Sequence, residues 1–468
     1  MSSEMPTGSL VRHPRGTATR STHSLPAPSW WTVRSAWRQP KPQRRTELGL
    51  LTIVIIIVVF AYALSSLGST SKIPHDLGWF LAFMVCLALF AHLANRWLAP
   101  YSNPIMLPLV AFLNGLGYVL IAGLNPHEAR LQAAWSAVGV LLYIATLWLF
   151  RRVRELDRYR YLMLFGGLAL LLLPLVPHFG LNINGSRLWI KVGPITFQPV
   201  EAAKVVLCIF FASYFAEKRA VLKLATVRVG NYMLADLRAL GPLLLAWGFS
   251  MLVMLTERNV GFSLMLFVLF VAMLWVATGK TSYLLLAAVL FSIGAFVGAH
   301  LFWQVNERIT IWLDPWKYAE TWGYQIIQGQ YALGSGGLAG SGLGLGHPQL
   351  IPVVTSDFIF AALGEELGLL GTSAVVMAFL LLVAAGIRTA ISAATDFAKL
   401  LAVGLTTVLG IQAFFIMAGV VRLLPLTGVT LPFVSYGGSA LVANYVLIAI
   451  LIRISNETAF SSSKGNIP

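Results

Sequence analysis

From Leu48 onward, windows of about 20 apolar residues recur along the chain, each long enough to cross the ~30 Å hydrocarbon layer of a bilayer as a helix. They lie near 48–67, 78–97, 104–123, 131–150, 160–179, 199–216, 239–256, 260–278, 282–303, 358–386, 398–420 and 434–453, twelve spans in all. This pattern predicts an all-α polytopic membrane protein. Composition agrees: of the 468 residues 57% are hydrophobic and only 11% charged, less than half the roughly 25% of a typical soluble domain. The two cysteines, Cys86 and Cys208, both fall inside apolar runs, which argues against a disulfide framework or a zinc knuckle.

The formal net charge is +15. In a membrane protein such an excess reports topology and contact with anionic lipid headgroups rather than nucleic-acid binding. Residues 1–47 are rich in Pro, Ser, Thr and Arg and lack an apolar period, so they read as a disordered basic tail. The apolar stretch begins too late for a cleaved signal peptide. Arg151, Arg152, Arg154, Arg158 and Arg160 crowd one connection, and Lys218, Arg219, Lys223 and Arg228 another. With twelve spans these fall on the side of the tail, which places both termini, including a tail at 455–468, in the cytoplasm. The connections 180–198, 256–259, 304–357 and 421–433 then face outward.

Several residues in and near those connections invite chemistry. Pro199 suits the first turn of a helix, and Glu201 and Lys204 share its face; they form either an ion pair at the helix entrance or part of a site. Asp357 is expected to open the helix of the 358–386 span, so that Glu365 and Glu366 lie about 12 Å along it, well inside the membrane slab. Acids at that depth call for a cavity or a partner. The long segment 304–357 carries Trp312, Trp316, Trp322, Tyr318, Tyr324 and Tyr331, suited to the membrane interface or to stacking on a sugar. Asp314 lies beside apolar and aromatic residues and reads as a base or as a plain Asp-Pro turn. The glycines from Gly334 to Gly346 lack the Gly-Lys-Ser/Thr ending and the strand–helix setting of a nucleotide loop, so they read as tight turns or a re-entrant loop.

Together these stretches carry a resemblance. Gln198-Pro199-Val200-Glu201-Ala202-Ala203-Lys204, the run from Arg308 to Pro315, Gly323-Tyr324-Gln325, Ser335-Gly336-Gly337-Leu338, Ser356-Asp357-Phe358 with Glu365-Glu366-Leu367-Gly368, and Leu424 to Gly428 with Leu431 to Ser439 resemble the SEDS family, which contains RodA and FtsW. The resemblance runs from about residue 104 to 453 within a core of 98–454. It implies a polytopic glycosyltransferase of the bacterial cell membrane that polymerises lipid II into peptidoglycan glycan strands, in cell elongation or division. Typical members have ten spans, so 48–67 and 78–97 are an extension, similar to a RodA-like branch in high-GC Gram-positive bacteria.

The resemblance also implies roles. The acceptor sugar's 4-hydroxyl attacks the donor's anomeric carbon with inversion, and undecaprenyl diphosphate leaves. Asp314 is the implied base; Arg187, Lys204 and Arg308 are the implied diphosphate ligands, with Glu201 orienting Lys204. Glu365 and Glu366 are expected to line the same cavity, and Asp357 to position the loop. A class B penicillin-binding protein is the implied partner. Diphosphate chemistry admits a divalent cation such as Mg or Mn, but no ligand cluster selects one. The chain departs from the family pattern at Leu188, where many members have Arg, and at Asn259-Val260-Gly261-Phe262, where Asp-Leu-Gly-Thr is usual. A precursor flippase or a catalytically silent scaffold for a cell-wall synthase remain the alternative readings.

Overall fold

The structure is a computed structural model that describes residues 43–464 except 178, 184–185, 194, 225, 230–231, 236–243, 245–247, 250–252 and 254–259. The greater part of the basic tail and of the expected span at 239–256, together with Asn259, therefore lies outside the described residues. Within them, α1 (Arg44–Thr70), α2 (Leu77–Leu98), α3 (Met106–Leu124) and α4 (Pro126–Leu149) run back and forth as an antiparallel set. The short helices α5 (Arg154–Arg158) and α6 (Arg160–Leu172) lead to a three-stranded antiparallel sheet of β1 (Gly180–Ile183), β2 (Ser186–Val192) and β3 (Ile195–Phe197). Then come α7 (Pro199–Leu224) and a hairpin of β4 (Thr226–Val229) and β5 (Tyr232–Ala235). The helices α8 (Val260–Thr278), α9 (Ser282–Leu301), α10 (Trp303–Leu313), α11 (Tyr324–Gly336), α12 (Ile359–Ser392), α13 (Asp396–Val420) and α14 (Gly438–Lys464) complete the fold.

Ten of the described helices are long and apolar enough to cross a membrane. The expected count of twelve is not reached among the described residues. The expected span at 160–179 is a shorter apolar helix, Arg160–Leu175. Pro174, which has no N–H to extend the helical ladder, stands in its closing 3-10 turn, and the chain then leaves for the sheet. That sheet is the one regular feature of the 180–198 connection that the apolar pattern does not announce. The long segment 304–357 is likewise structured, by α10, α11 and two 3-10 turns.

Local signals set several helix ends. Asn125 caps α4 by accepting from the backbone N–H groups of His127 and Glu128, with Pro126 in the first helical position. Thr395 caps α13 by accepting from Ala398 N. The bundle's most polar ends segregate. Arg160 pairs with Glu217 and Arg219 with Asp396, while Tyr101 N and Asn103 N bond to Asn456 and Ser455 of α14, so the basic connections share one end. The sheet, the 304–357 segment and the 421–437 connection occupy the other.

One helix is broken. Within α12 Gly368 has φ +63° and ψ −162°, a conformation open essentially to glycine. The amides freed by the break are taken up by the glycine-rich segment: Leu369 N donates to Gly337 O at 2.9 Å and Leu370 N to Leu338 O at 3.1 Å. The first half of α12, 359–367, is thus a separate short helix. Glu365 and Glu366 stand on the last turn before the break, and the single straight helix that the sequence suggests beyond them is not what forms. Asp357 does not cap it either, since Phe358 occupies the cap position without a side-chain bond.

Candidate active site

The connection between α13 and α14 gathers the functional side chains. Its backbone accepts from Arg308 through Leu426 O, 3.0 Å from Nη1, and from Gln412 Nε2 through Thr430 O at 3.0 Å. It also binds the strip ahead of α12: Ser435 Oγ donates to Ser356 O at 2.6 Å and Tyr436 N to Thr355 O at 2.8 Å. Prolines 425 and 432 and the turn at Gly428 keep this segment out of any helix, so its carbonyls are free to act as acceptors.

Arg308 projects from α10 into the wall of a cavity of about 190 Å³. The other walls come from α8, α9 and the Leu424–Thr427 stretch, with Phe267, Phe291 and Leu264 among the apolar lining. The hydroxyl of Thr427, which also lines it, is buried without a hydrogen-bond partner. Burial pushes the Arg308 guanidinium down from its ordinary value, and Asp357 and Glu307 act against that shift. Burial pushes the Asp357 carboxyl up, opposed by its hydrogen bond from Ser356 Oγ at 3.1 Å and by the charge of Arg308. Glu307 is also pushed up by burial and pulled down by Arg308. Arg308 and Asp357 therefore favour each other's charged form within a poorly solvated pocket.

Asp314 stands six residues beyond Arg308, at the C-terminal end of α10, exposed to solvent. Its Oδ1 accepts from Lys317 N at 3.4 Å, closing the turn that Pro315 begins. The apolar surroundings expected from sequence do not enclose this carboxylate. Trp316, Trp322 and Tyr331 nearby in the chain are exposed too, and Tyr318 stacks on Trp322 with centroids 5.7 Å apart.

Glu201 and Lys204 form the expected i,i+3 ion pair on α7. Lys204 is completely buried and also donates to Gln412 Oε1 at 2.8 Å and Asn444 Oδ1 at 3.3 Å. One cation thus ties α7 to α13 and α14, and through Gln412 to Thr430. It does not line the Arg308 cavity. Arg187 lies exposed on β2, and Leu188 beside it is buried. Glu365 and Glu366 are buried, but instead of lining that cavity they bind the glycine-rich segment: Glu365 Oε1 accepts from His347 N at 2.7 Å, and Glu366 accepts from the Gly344 amide. A carboxylate pair in a well-amidated niche is satisfied without a void.

Of the eight residues the sequence singles out, the fold joins Arg308 with Asp357, Glu201 with Lys204, and Glu365 with Glu366, and leaves Asp314 and Arg187 exposed on the loop-bearing end. Sequence reasoning missed Gln412, Asn444, Thr427 and Arg422. Gln412 and Asn444 had a usable signal, since each is a lone amide within an otherwise apolar run. Among the described residues no group of three or more His, Cys, Asp or Glu side chains is placed to hold a metal ion.

Comparison with known proteins adds the family. The FtsW/RodA/SpoVE cell cycle protein model matches residues 105–459. The peptidoglycan glycosyltransferase RodA of Mycobacterium tuberculosis is 40% identical over 430 residues, covering 89% of this chain and 92% of that protein. The RodA of Mycobacterium leprae is 39% identical over 434 residues, with the same coverage. A probable peptidoglycan glycosyltransferase FtsW of a Geobacter species is 38% identical over 297 residues, 63% of this chain and 78% of that one. Among solved structures, a chain from a study of how a peptidoglycan synthase complex coordinates polymerisation and crosslinking superposes with TM-score 0.62 at 26% identity, over 76% of this chain and 98% of that one. The rod shape determining protein RodA of Thermus thermophilus shares the fold, with TM-score 0.55 at 24% identity over 77% and 98%. The family model's match begins at the start of α3, so α1 and α2 stand before it, while the mycobacterial matches, at 89% of the chain, reach back into these two helices. By the reach and identity of these matches, the chain belongs to the FtsW/RodA/SpoVE family.

Proposed function

We propose that this chain is a peptidoglycan glycosyltransferase that polymerises lipid II into glycan strands. The observation that carries the reading is the pairing, on one short helix, of a guanidinium in the wall of an apolar cavity with an exposed carboxylate about 9 Å further along. An apolar cavity suits a polyprenyl chain, and a guanidinium suits the diphosphate next to it, whose charge grows as the glycosidic bond breaks. Arg308 is the diphosphate ligand in this reading, with Asp357 keeping it charged and aimed. Asp314 takes the proton from the acceptor's 4-hydroxyl as that oxygen attacks the donor's anomeric carbon. The new bond is β-1,4, and undecaprenyl diphosphate departs. Arg187 contributes a second cation at the rim, while Glu201 and Lys204 hold the α13–α14 connection that anchors Arg308.

The positive-inside rule supports an orientation in which the arginine-rich connections and both termini are cytoplasmic and the sheet, Asp314 and the cavity mouth face outward. Elongation or division is the process such strands serve. The likeness to a member of a peptidoglycan synthase complex supports a class B penicillin-binding protein as partner, and the positive charge of residues 1–47 supports anionic lipid or a cytoplasmic regulator as the contact of the tail.

The test is polymerisation of labelled lipid II by the purified full chain. Asp314→Asn should lower turnover by about 10²-fold or more, the scale of a lost general base, without lowering thermal stability, because the side chain is exposed. Equal glycan output from wild type and Asp314→Asn removes Asp314 as the base; no output from wild type, alone or with its transpeptidase, rejects the reading.

A further inference from the structure

The helices that precede the family-matched residues are not a loosely attached appendage. At its N-terminal end α1 is keyed to its neighbours by a buried polar cluster. Glu47, with no exposed surface, pairs with Arg44, contacts His92 Nδ1 at 2.8 Å and accepts from Asn95 Nδ2 at 3.3 Å. Tyr143 of α4 donates to Asn95 Oδ1, and Arg44 reaches Ser102 O at 2.6 Å and Pro100 O at 3.0 Å. Such a cluster, fully paired and desolvated, admits one register of α1 against α2 and α4.

At the opposite end, about 30 Å along the helix, α1 meets the glycine-rich segment backbone to backbone. A Cβ on Gly68 would lie 2.2 Å from Leu343 O; one on Gly344, where φ is +74°, would lie 2.2 Å from Ser65 O and 3.0 Å from Ser69 N. The segment passes this contact on. Ser341 N donates to Glu365 O at 2.9 Å, Gly342 N to Glu366 O at 3.0 Å, and the Glu365 and Glu366 carboxylates take the amides of His347 and Gly344. Both glutamates ride on the half-helix 359–367, which begins two residues after Asp357, the acid that answers Arg308. A run so rich in glycine has few side chains to order itself and a large entropy to lose. Its order has to come from what it is packed against.

We propose that α1 is a positioning element of the transferase: its Ser65–Gly68 turn clamps the glycine-rich segment, which in turn sets the half-helix bearing Glu365 and Glu366 and so the placement of Asp357 against Arg308. The inference rests on the function proposed above for the reaction, though not for the contact itself. α1 thus supplies, from outside the residues that the family model matches, a support that acts on the site through the loop.

The test uses the full chain with Gly68→Val, the milder Gly68→Ala, Glu47→Ala at the far end of α1 with its conservative counterpart Glu47→Gln, and Phe60→Ala on the exposed face of α1 as control. Hydrogen exchange of the amides in 337–347 should quicken by about tenfold in Gly68→Val and Glu47→Ala. In the same two variants kcat on labelled lipid II should fall about fivefold with KM within about twofold. Glu47→Gln should restore most of both, and Phe60→Ala should match wild type. Since Glu47 is remote from the loop, an effect there is not one that local damage at Gly68 explains. If Gly68→Val does not fold, Gly68→Ala and Glu47→Ala carry the test. Exchange and kcat within about twofold of wild type in every folded variant, or loss of kcat only in proportion to unfolded protein, overturns the proposal. A wild type inactive on lipid II would instead fail the reading of function, and the exchange data would still decide the contact.

Discussion

Trp312 and Arg422 hold each other by a reciprocal pair of hydrogen bonds: the indole N–H donates to Arg422 O at 3.0 Å, and the Arg422 guanidinium returns a bond to Trp312 O at 2.8 Å. The pair locks the last turn of α10 to the start of the α13–α14 connection, two residues before Asp314. Arg422 adopts φ +60° to do so, a conformation that most residues avoid. The carboxylate proposed as base is itself exposed, so its aim depends on this clasp.

Trp312→Phe removes the indole bond while keeping the ring. The expected outcome is a loss of about 1 kcal/mol of positioning, read as a fall of about fivefold in turnover on labelled lipid II, with KM little changed. Arg422→Ala, which removes the returning bonds, should act in the same direction. A kcat equal to wild type in both variants would show that the clasp does not aim Asp314.

Lys204 gives a stability prediction of larger size. It is fully buried and its charge is met by Glu201, so Lys204→Met strands a carboxylate in the bundle and should destabilise the protein by about 3–5 kcal/mol. The double variant Glu201→Gln/Lys204→Met removes both charges and should recover most of that loss, because a buried ion pair is worth little against an apolar substitute of similar size. Thermal unfolding in detergent checks both statements. Recovery is the informative result, since it separates a structural tie from a charge needed for its own sake.

What sequence made legible follows from the physics of each signal. Lipid imposes length and polarity on a span so strongly that α1, α2, α8 and α9 can be placed from apolar windows alone, and Pro199 announces the start of α7. The Glu201–Lys204 pair is equally local, being one turn of one helix. Arg308 with Asp357 is not: the two lie on different elements, and only the fold of the α13–α14 connection brings them together. The helix break at Gly368 was hidden because an apolar helix with a glycine reads the same whether straight or broken. Glu365 and Glu366 read from sequence as acids that need a cavity or a partner; the fold gives them backbone amides of a glycine segment, which carry no signature in side-chain sequence. The small sheet at 180–197 escaped because short strands in a connection have no apolar alternation to set against the spans around them.

Asp357 predicts a pH dependence of stability. Its pKa is raised above the ordinary 3.8, chiefly by burial, so the folded state holds this proton more tightly than the unfolded chain does. The resulting stability is fully present below 3.8 and is lost as pH rises through the raised value. Asp357→Asn should flatten that part of the profile and leave the protein at least as stable as wild type at neutral pH, while weakening polymerisation because Arg308 loses its counter-charge. Thermal midpoints of both proteins, measured from about pH 4 to 7, check the sign; a wild-type profile that rises with pH across the window while the variant's stays flat contradicts it.

Gly368 provides the sharpest structural prediction. Its backbone lies where a side chain is not tolerated, and a Cβ there would fall 2.4 Å from Gly340 N and 2.6 Å from Leu338 O. Both neighbours are backbone atoms of the segment that takes up the amides of Leu369 and Leu370, so neither can step aside without releasing those bonds. Gly368→Ala should therefore cost about 2–4 kcal/mol from strain and lost bonds together, read as a lowered thermal midpoint. Gly334→Ala, on α11, where a Cβ meets nothing within 4 Å, should cost clearly less. If the two alanines prove equally mild, α12 continues through Gly368 unbroken, and the glycine-rich segment is held by something other than the open turn.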